Sequence, residues 1–313
     1  MDGIISFLSG AVSLGTVFLF GSTGETLTEK SGHLNLGIPG IMCFGELGGC
    51  IGVSMVGSVT FLTVIVAMLC SFIFAGFLGA IYSVLTVTFR TNQNVTGLTI
   101  TTFGVGAAYF FGPRVDDSAF AYASSEHFTH LFGFYKDLGW FGELFLSYGV
   151  LVYLAIIIAV LASLFLSKSK TGLHLRAVGE SPATADAAGI NVTAYRYITT
   201  VVGSGIAGLG GLFYIMDYLG GSWEPTIDAM GWLAIALVIF TVWRPSFGIL
   251  GSILFGALYI LVNYIGVPQM YQDLFKMLPY LVTIVVLIFT SIFGSKNVQP
   301  PAALGLNYFR EDR

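Results

Sequence analysis

The sequence predicts an all-α polytopic membrane protein with about nine transmembrane helices, within a range of eight to ten. Of its 313 residues, 55% are hydrophobic and only 10% are charged, whereas an average soluble domain carries about 25% charged residues. The mean hydropathy is +0.84, and long apolar stretches recur along the chain. These observations exclude a soluble enzyme, a disordered chain and a nucleic-acid-binding protein, and we treat residues 1–313 as one transmembrane domain.

Each predicted span is a stretch of about 20 predominantly apolar residues, the length that crosses a bilayer as a helix. The candidates are residues 4–22, 34–56, 60–89, 93–111, 146–167, 195–216, 228–243, 247–266 and 277–294. The second stretch holds Pro39, Glu46 and six glycines. We therefore expect one Gly/Pro-broken span, whose freed backbone groups are buried in protein or line a wet cavity.

Basic residues predict the orientation in a cell (plasma or inner) membrane. With the segments around 23–33, 90, 168–196, 244 and the carboxyl tail on the cytoplasmic side, that side holds 10 of the 13 Lys and Arg residues. Such an excess follows the positive-inside rule. An odd number of spans then places the N-terminus outside and the C-terminus in the cytoplasm. The acidic and aromatic loop 112–145 is external in this scheme, and the segment 168–194 is cytoplasmic.

Common catalytic and metal-binding motifs are missing from the sequence. There is no Gly-Lys pair, and hence no phosphate-binding loop of the G-x-x-x-x-G-K-[ST] type. No G-x-S-x-G nucleophile turn occurs. His127 and His130 could share a helix face, but no further histidine or cysteine stands near them in the sequence. We predict no catalytic residue, no metal site and no cofactor bound by this chain.

Polar residues in apolar surroundings are the candidates for a solute path. Glu46 is the only carboxylate well inside a predicted span, whereas an ion-coupled transporter usually needs several buried ionisable groups. We interpret Glu46 as a structural or pore-lining group, with a proton site as the alternative. Asn35 lies at the start of the second predicted span, and Asn92, Gln93 and Asn94 open the fourth. These amides either line the path or begin an interfacial helix.

A short helix with defined ends is predicted in the segment 168–194. Ser181 is a good N-cap, Pro182 suits the first helical position, and Gly189 suits a left-handed C-cap. The body of this helix is almost all small side chains, and so few residues do not hold a helix in water by propensity alone. It also lacks the large apolar face of a helix that lies on a membrane. We therefore expect it to dock on a peripheral protein.

Two stretches carry a family resemblance. Residues 24–42 resemble the signature E-[RK]-S-G-x-x-N-x-G-x-E-G-x-M of ATP-binding-cassette (ABC) importer permeases of the branched-chain amino acid and simple-sugar class, on its nucleoside-type branch. Residues 171–192 look like the cytoplasmic coupling segment of that family, with the pattern G-x-x-x-R-A-x-G-E-x-P-x-x-A-x-x-A-G-I. Residues 91–98 and 301–305 extend the resemblance over most of the chain. One departure is Pro39, which stands where the family pattern usually has Glu.

The resemblance implies a permease that forms the solute path and has no ATPase activity of its own. It implies a second permease subunit, usually a different chain in the nucleoside branch, a cytoplasmic ATPase subunit that uses the ATP, and an extracellular solute-binding lipoprotein. The residues that it assigns to coupling with the ATPase are Arg176, Gly179, Glu180, Ser181, Pro182, Ala183, Ala187 and Gly189.

Nucleosides are the first substrate hypothesis, and a simple sugar such as ribose is the second. Two other classes stay open at this point: an ion-coupled secondary transporter that uses Glu46, and a membrane scaffold without transport. A scaffold leaves the coupling-type segment unexplained.

Overall fold

The computed structural model describes residues 2–57, 61–224, 227–266, 268–293 and 299–309, and this part of the chain is helical without any strand. The α-helices are α1 (Asp2–Glu29), α2 (Ile38–Val56), α3 (Leu62–Ser83), α4 (Gln93–Phe111), α5 (Phe120–Ala123), α6 (Gly139–Phe145), α7 (Val150–Lys168), α8 (Lys170–Glu180), α9 (Pro182–Ala187), α10 (Val192–Phe213), α11 (Ile227–Phe240), α12 (Pro245–Tyr264), α13 (Gln269–Phe275) and α14 (Leu278–Phe293). Helices α3 and α10 each end in a π-helical turn, at Val84–Thr88 and Tyr214–Tyr218.

The predicted fold class is confirmed. Seven helices of the described chain are long and apolar enough to cross a membrane, and two shorter apolar helices occupy Met230–Phe240 and Leu278–Phe289. Together they account for the nine predicted spans. The segment between α4 and α7 carries only short helical pieces, among them α5 and α6.

The prediction that the second span is broken is wrong. Helix α2 runs without interruption from Ile38 to Val56. Pro39 lies in the first turn, where its missing N–H would have had no helical partner in any case. The chain before Ile38 forms a turn instead of helix, so the proline marks the start of the span and does not interrupt it.

The glycines of α2 serve close packing between helices. Within their most apolar windows, α2 is 78% buried and the span that contains α10 is 83% buried, so these two helices lie at the centre of the bundle. A Cβ added at Gly45 would stand 2.4 Å from the Cα of Gly208, and one at Gly211 would stand 2.2 Å from the Met42 carbonyl oxygen. Only glycine permits backbones to approach so closely, as small residues do at membrane helix interfaces.

The two ends of the bundle differ in character. At the polar end, the turn 30–37, residues 89–93, helices α8 and α9 and a terminal strap (residues 301–309) contact one another through hydrogen bonds. The opposite end carries the loop 112–145, and a cavity there is lined by Ser9 of α1 together with His130 and Asp217. The start of α1 and the terminal strap therefore lie at opposite ends, as an odd number of crossings requires.

Helix α1 extends further than predicted. The sequence placed its end near residue 22, whereas the helix continues to Glu29. Glu25 and Glu29 are consequently buried, with relative exposures of 0% and 2%. The interpretation of Glu46 as the only carboxylate inside a span is wrong for this reason.

The contact between α2 and α10 yields a matched test. Gly45→Ala adds a methyl group where the facing backbone leaves no room, and overpacking of this kind costs about 1–3 kcal/mol. We expect a lower melting temperature and a lower yield of monodisperse protein. Gly106→Ala is the control, because nothing lies within 4 Å of the added Cβ in α4. Equal melting temperatures for the two variants would contradict the packing described here.

Candidate functional site

Helix α9 forms as predicted, and both of its ends are capped. The Ser181 side chain accepts a hydrogen bond from the Thr184 amide at 3.4 Å. At the other end, Gly189 has a φ of +83°. The Gly189 amide donates to the Asp186 carbonyl, and the Ile190 amide donates to the Ala185 carbonyl, each at 3.0 Å. These two bonds are the Schellman pattern, which satisfies carbonyls that a helix end leaves open.

One face of α9 packs on the protein and another faces outward. Ala185 is buried against Val178 of α8 and Val192 of α10 in a small apolar cluster. Ala183 and Ala187 are exposed, as are Arg176 and Gly189. The helix is therefore held by its own chain through Ala185 while small side chains one turn apart remain accessible.

Gly179 and Glu180 have mainly structural contacts in this chain. A Cβ at Gly179 would stand 2.3 Å from the Lys30 carbonyl oxygen, so α8 approaches the turn 30–37 at backbone distance. The Gly179 carbonyl accepts from the Ala303 amide at 2.9 Å, and a Glu180 carboxylate oxygen accepts from the Ala302 amide at 3.4 Å.

The terminal strap joins three parts of the polar end. The Gly305 amide donates to the Gly32 carbonyl at 3.2 Å. The Asn307 side-chain amide donates to the Arg90 carbonyl at 2.7 Å. The Tyr308 hydroxyl donates to the Asp186 carboxylate of α9, also at 2.7 Å. The strap thereby links α9 to the turn 30–37 and to the segment before α4.

Side chains from several helices hold the backbone of the turn 30–37. A Glu25 carboxylate oxygen accepts from the Asn35 amide at 3.0 Å. The Gln93 side chain accepts from the Leu34 amide at 2.8 Å, and the Thr101 hydroxyl donates to the Leu36 carbonyl at 2.8 Å. The Tyr82 hydroxyl donates to the Leu34 carbonyl. A buried turn requires such partners, because unpaired backbone groups are costly away from water.

His33 lies at the centre of this turn and is neutral. Its Nδ1 and Nε2 each lie 2.7 Å from a hydroxyl, those of Thr200 and Thr86 respectively. The Thr86 hydroxyl donates to the Tyr82 carbonyl, so it accepts from Nε2–H and leaves Nδ1 to accept from Thr200. Burial, together with the nearby positive charge of Arg196, lowers the pKa of His33 to about 3.

Glu25 and Glu29 belong to the site, although sequence reasoning did not select them. A Glu25 carboxylate oxygen accepts from the Asn35 amide, and the Trp243 indole N–H donates to Glu29. Trp243 and Val242 both have positive φ values, 54° and 55°, a conformation that costs a non-glycine residue roughly 1–2 kcal/mol. The sequence did contain a signal for this pair. Glu25 and Glu29 lie four residues apart, shortly after the apolar run that ends near residue 22.

The structure places the candidate path residues in different environments. Glu46 is fully buried in the middle of α2. Asn92 is the exposed N-cap of α4 and accepts from the Val95 amide at 3.1 Å, and Asn94 is exposed. Asn35 and Gln93 are buried at the turn 30–37. Glu46 lies eight residues into α2 from Ile38, or about 12 Å at 1.5 Å per residue, so the candidates do not form one cluster. Their role in a path stays a prediction.

The neutral state of His33 predicts a pH dependence of stability. The folded pKa is about 3, whereas an unfolded histidine has a pKa near 6.5. Between these values the unfolded chain binds more protons, so stability is fully present above about pH 6.5 and falls as the pH drops toward 3. We expect His33→Gln to flatten the dependence of the melting temperature on pH between 7.5 and 4.5.

His174→Gln is the control for this measurement, because that ring is exposed at the surface of α8. It should leave the slope of melting temperature against pH unchanged. An identical slope in the His33→Gln variant would show that His33 does not contribute to acid sensitivity.

Comparison with known proteins gives a consistent result. Residues 7–287 match the family model described as the permease component of branched-chain amino acid transport systems. The chain is 31% identical to the putative glucose ABC transporter permease TsgC13 of Haloferax volcanii over 99% of both chains. It is 30% identical to the nucleoside ABC transporter permease NupC of Lactococcus lactis subsp. cremoris over 94% of both chains.

The guanosine ABC transporter permease NupQ of Bacillus subtilis is 30% identical, over 93% of this chain and 92% of the relative. No solved structure matches the chain. The family match covers nearly all the membrane helices, and the relatives align over almost their whole lengths. The chain belongs to the family of branched-chain amino acid transport system permease components.

Proposed function

We propose that this chain is the transmembrane permease subunit of an ATP-driven importer for nucleosides. As a multi-pass member of its family, it is a plasma-membrane protein of an ABC transporter complex. The observation that carries the proposal is helix α9. This helix is capped at both ends, and its Ala185 side chain is buried against α8 and α10. The side chains on its exposed face are small. This is the form expected of an element that enters a groove on a partner.

The substrate assignment draws on the relatives. Two of them are named for nucleosides or guanosine, and the proposal takes nucleosides as the substrate class. A simple sugar is the second candidate, because a relative of similar identity is named for glucose. The proposal assigns ATP hydrolysis to a separate subunit, since the sequence has no Gly-Lys pair and hence no phosphate-binding loop of its own.

The proposed assembly includes two further components. A second permease subunit, a different chain, completes the path, and an extracellular lipoprotein delivers the solute. In this arrangement the polar end of the bundle faces the cytoplasm and the ATPase subunit, and the start of α1 faces outward. The excess of Lys and Arg in the segments of the polar end supports that orientation.

An ion-coupled transporter is the competing class, and the buried carboxyl groups of α1 are the observation in its favour. Both groups have structural partners, however. Glu25 accepts from the Asn35 amide and Glu29 accepts from the Trp243 indole. These bonds support a role in holding the turn 30–37, which an ATP-driven permease needs equally.

Substitutions on the exposed face of α9 test the docking role. Ala187→Trp should overfill the groove that receives α9, and Ala183→Asp should bury an unpaired charge in it, at a cost of about 2–5 kcal/mol. Neither residue lies in a membrane span, so both variants should insert normally. We expect each to lose the ATPase subunit on co-purification and to lose ATP-dependent uptake.

Ala121→Trp is the matched control, because it introduces the same bulk at an exposed alanine on the opposite end of the bundle. It should keep the ATPase subunit. If Ala187→Trp and Ala183→Asp also retain the ATPase and transport normally, α9 is not the docking element.

Glu46→Gln separates the two transporter classes. The amide preserves the size and shape of the buried Glu46 side chain and removes its ability to carry a proton, so an ATP-driven permease should keep most of its uptake. An obligatory proton carrier would lose transport at every pH. Uptake is measured in vesicles supplied with ATP, with and without a proton-gradient uncoupler. Complete loss of uptake by the Glu46→Gln variant at normal membrane levels would contradict the proposal. So would loss of uptake by the parent protein when the uncoupler is added and ATP is maintained.

A further inference from the structure

The cavity at the end opposite the polar end has a volume of about 340 Å³. That volume falls in the range of small-molecule sites, roughly 300–1,000 Å³. Its walls come from α1, from the segments 121–130 and 147–148, and from the π-helical turn that ends α10. Hydroxyl groups make up most of its polar lining, at Ser9, Ser13, Ser124, Ser125, Thr129 and Ser147. Neither the sequence motifs nor the proposed transport cycle assigns an occupant to it.

Asp217 is the one carboxylate among the described residues that line this cavity. It lies in the π-helical turn Tyr214–Tyr218. Its Oδ2 is enclosed beside Gly149 and has no hydrogen-bond partner among the described residues, so Oδ1 is the oxygen through which the carboxylate faces the cavity. A buried acceptor that has lost water without gaining a donor carries a desolvation penalty, which is larger for a charged group. A ligand that brings hydrogen-bond donors to Oδ1 would offset part of that penalty.

The other polar groups of the cavity also act mainly as acceptors. The hydroxyls of Ser125, Thr129 and Ser147 donate to backbone carbonyls of their own segments, at 3.1, 3.1 and 2.6 Å. His130 likewise donates from Nδ1 to a backbone carbonyl at 2.9 Å. A hydroxyl that has given away its proton can only accept from a ligand. Within the described part of the chain no Lys or Arg lines the cavity, so its chemistry favours a donor-rich ligand over an anion.

Separate elements bring these acceptors together. Ser9 and Ser13 lie four residues apart on α1, and hence on one face of that helix. Ser124 and Ser125 begin a second π-helical turn, Ser124–Phe128. Turns of this type are rare and occur frequently at functional sites. Here two of them, one with Asp217 and one with a serine pair, meet at the same cavity.

The size of the cavity distinguishes two kinds of donor-rich or positively charged ligand. A metal ion needs oxygens that converge to within about 2.0–2.6 Å of one point. The part of the chain that the structure describes has no group of three or more His, Cys, Asp and Glu side chains able to hold one. A cavity of about 340 Å³ admits a five- or six-membered ring instead. The vicinal hydroxyls of a sugar ring supply several donors from one rigid face.

We propose that this cavity binds the sugar ring of the transported solute, whose vicinal hydroxyls donate to Asp217 and to the serine oxygens. This site rests on the proposed function and extends it, because it names the recognised moiety and the residues that recognise it. The solutes for which relatives are named, nucleosides, guanosine and glucose, all contain a sugar ring. In the proposed orientation the cavity lies on the side from which the solute arrives.

Equilibrium dialysis with radiolabelled uridine tests the site. The sample is the full-length permease with the subunits that co-purify with it, in lipid nanodiscs and without the lipoprotein. We expect uridine binding that free ribose displaces. The analogue 2′,3′-dideoxyuridine lacks the vicinal hydroxyls and should compete at least tenfold less well than uridine. Tetramethylammonium, an organic cation without hydroxyls, should not compete.

Three variants assign the binding to this cavity. Asp217→Asn keeps the size of the side chain but replaces an acceptor oxygen with a donor group, so uridine binding should weaken at least tenfold. Ser125→Trp introduces a bulky ring at an exposed position of the cavity wall, and it should weaken binding to a similar extent without disturbing the core. Asp137→Asn is the matched control, because that carboxylate is exposed at the same end and lies outside the cavity. It should bind uridine like the parent.

Several results would overturn this site. If dideoxyuridine competes as well as uridine, or tetramethylammonium displaces uridine, the cavity does not recognise sugar hydroxyls. Unchanged binding in both Asp217→Asn and Ser125→Trp would mean that the sugar binds elsewhere, and absence of uridine and ribose binding in the parent rejects the site outright. ATP-dependent uptake that persists in any of these cases leaves the proposed function standing. Conversely, uptake that needs no ATP refutes the proposed function and leaves a measured sugar site intact.

Discussion

The rest of the structure depends on the buried turn between α1 and α2. Its backbone cannot reach water, so polar side chains from neighbouring helices supply the partners that water would otherwise give. Glu25 and Gln93 accept from the amides of Asn35 and Leu34, and Thr101 donates to the Leu36 carbonyl. Each of these bonds fixes one helix relative to the same short segment. The turn thereby sets the register of α1, α2 and α4, and α8 and the strap contact it from outside.

The fold was predictable to a large extent because a bilayer imposes length and polarity on every crossing element. The nine spans and the capped helix α9 follow from such local rules. The continuity of α2 could not be predicted in this way. Several glycines in one segment usually indicate an interrupted helix, and only the facing glycine of α10 shows that they serve close packing. Gly45 and Gly208 are separated by more than 160 residues in the sequence, and their contact is a property of the packed bundle.

The site was predictable only in part. The ends of α9 are local features, whereas the partners of His33 come from α10 and the π-helical turn after α3. Gln93 looked like a group that opens a solute path, yet its side chain holds the Leu34 amide and reaches the strap at Asn307. A single sequence shows that such an amide is polar and interrupts an apolar region. It does not show which distant backbone group forms a hydrogen bond with that amide.

The position of the strap in the chain has a consequence for biogenesis. Residues 301–309 follow the last membrane helix, yet they hydrogen-bond to Gly32, Arg90, Gly179 and Asp186, which are synthesised much earlier. The polar end is therefore incomplete until α14 has entered the membrane and the strap has left the ribosome. A chain stalled before that point presents α9 without the Tyr308 contact. Completion of the polar end is in this way coupled to the completion of insertion.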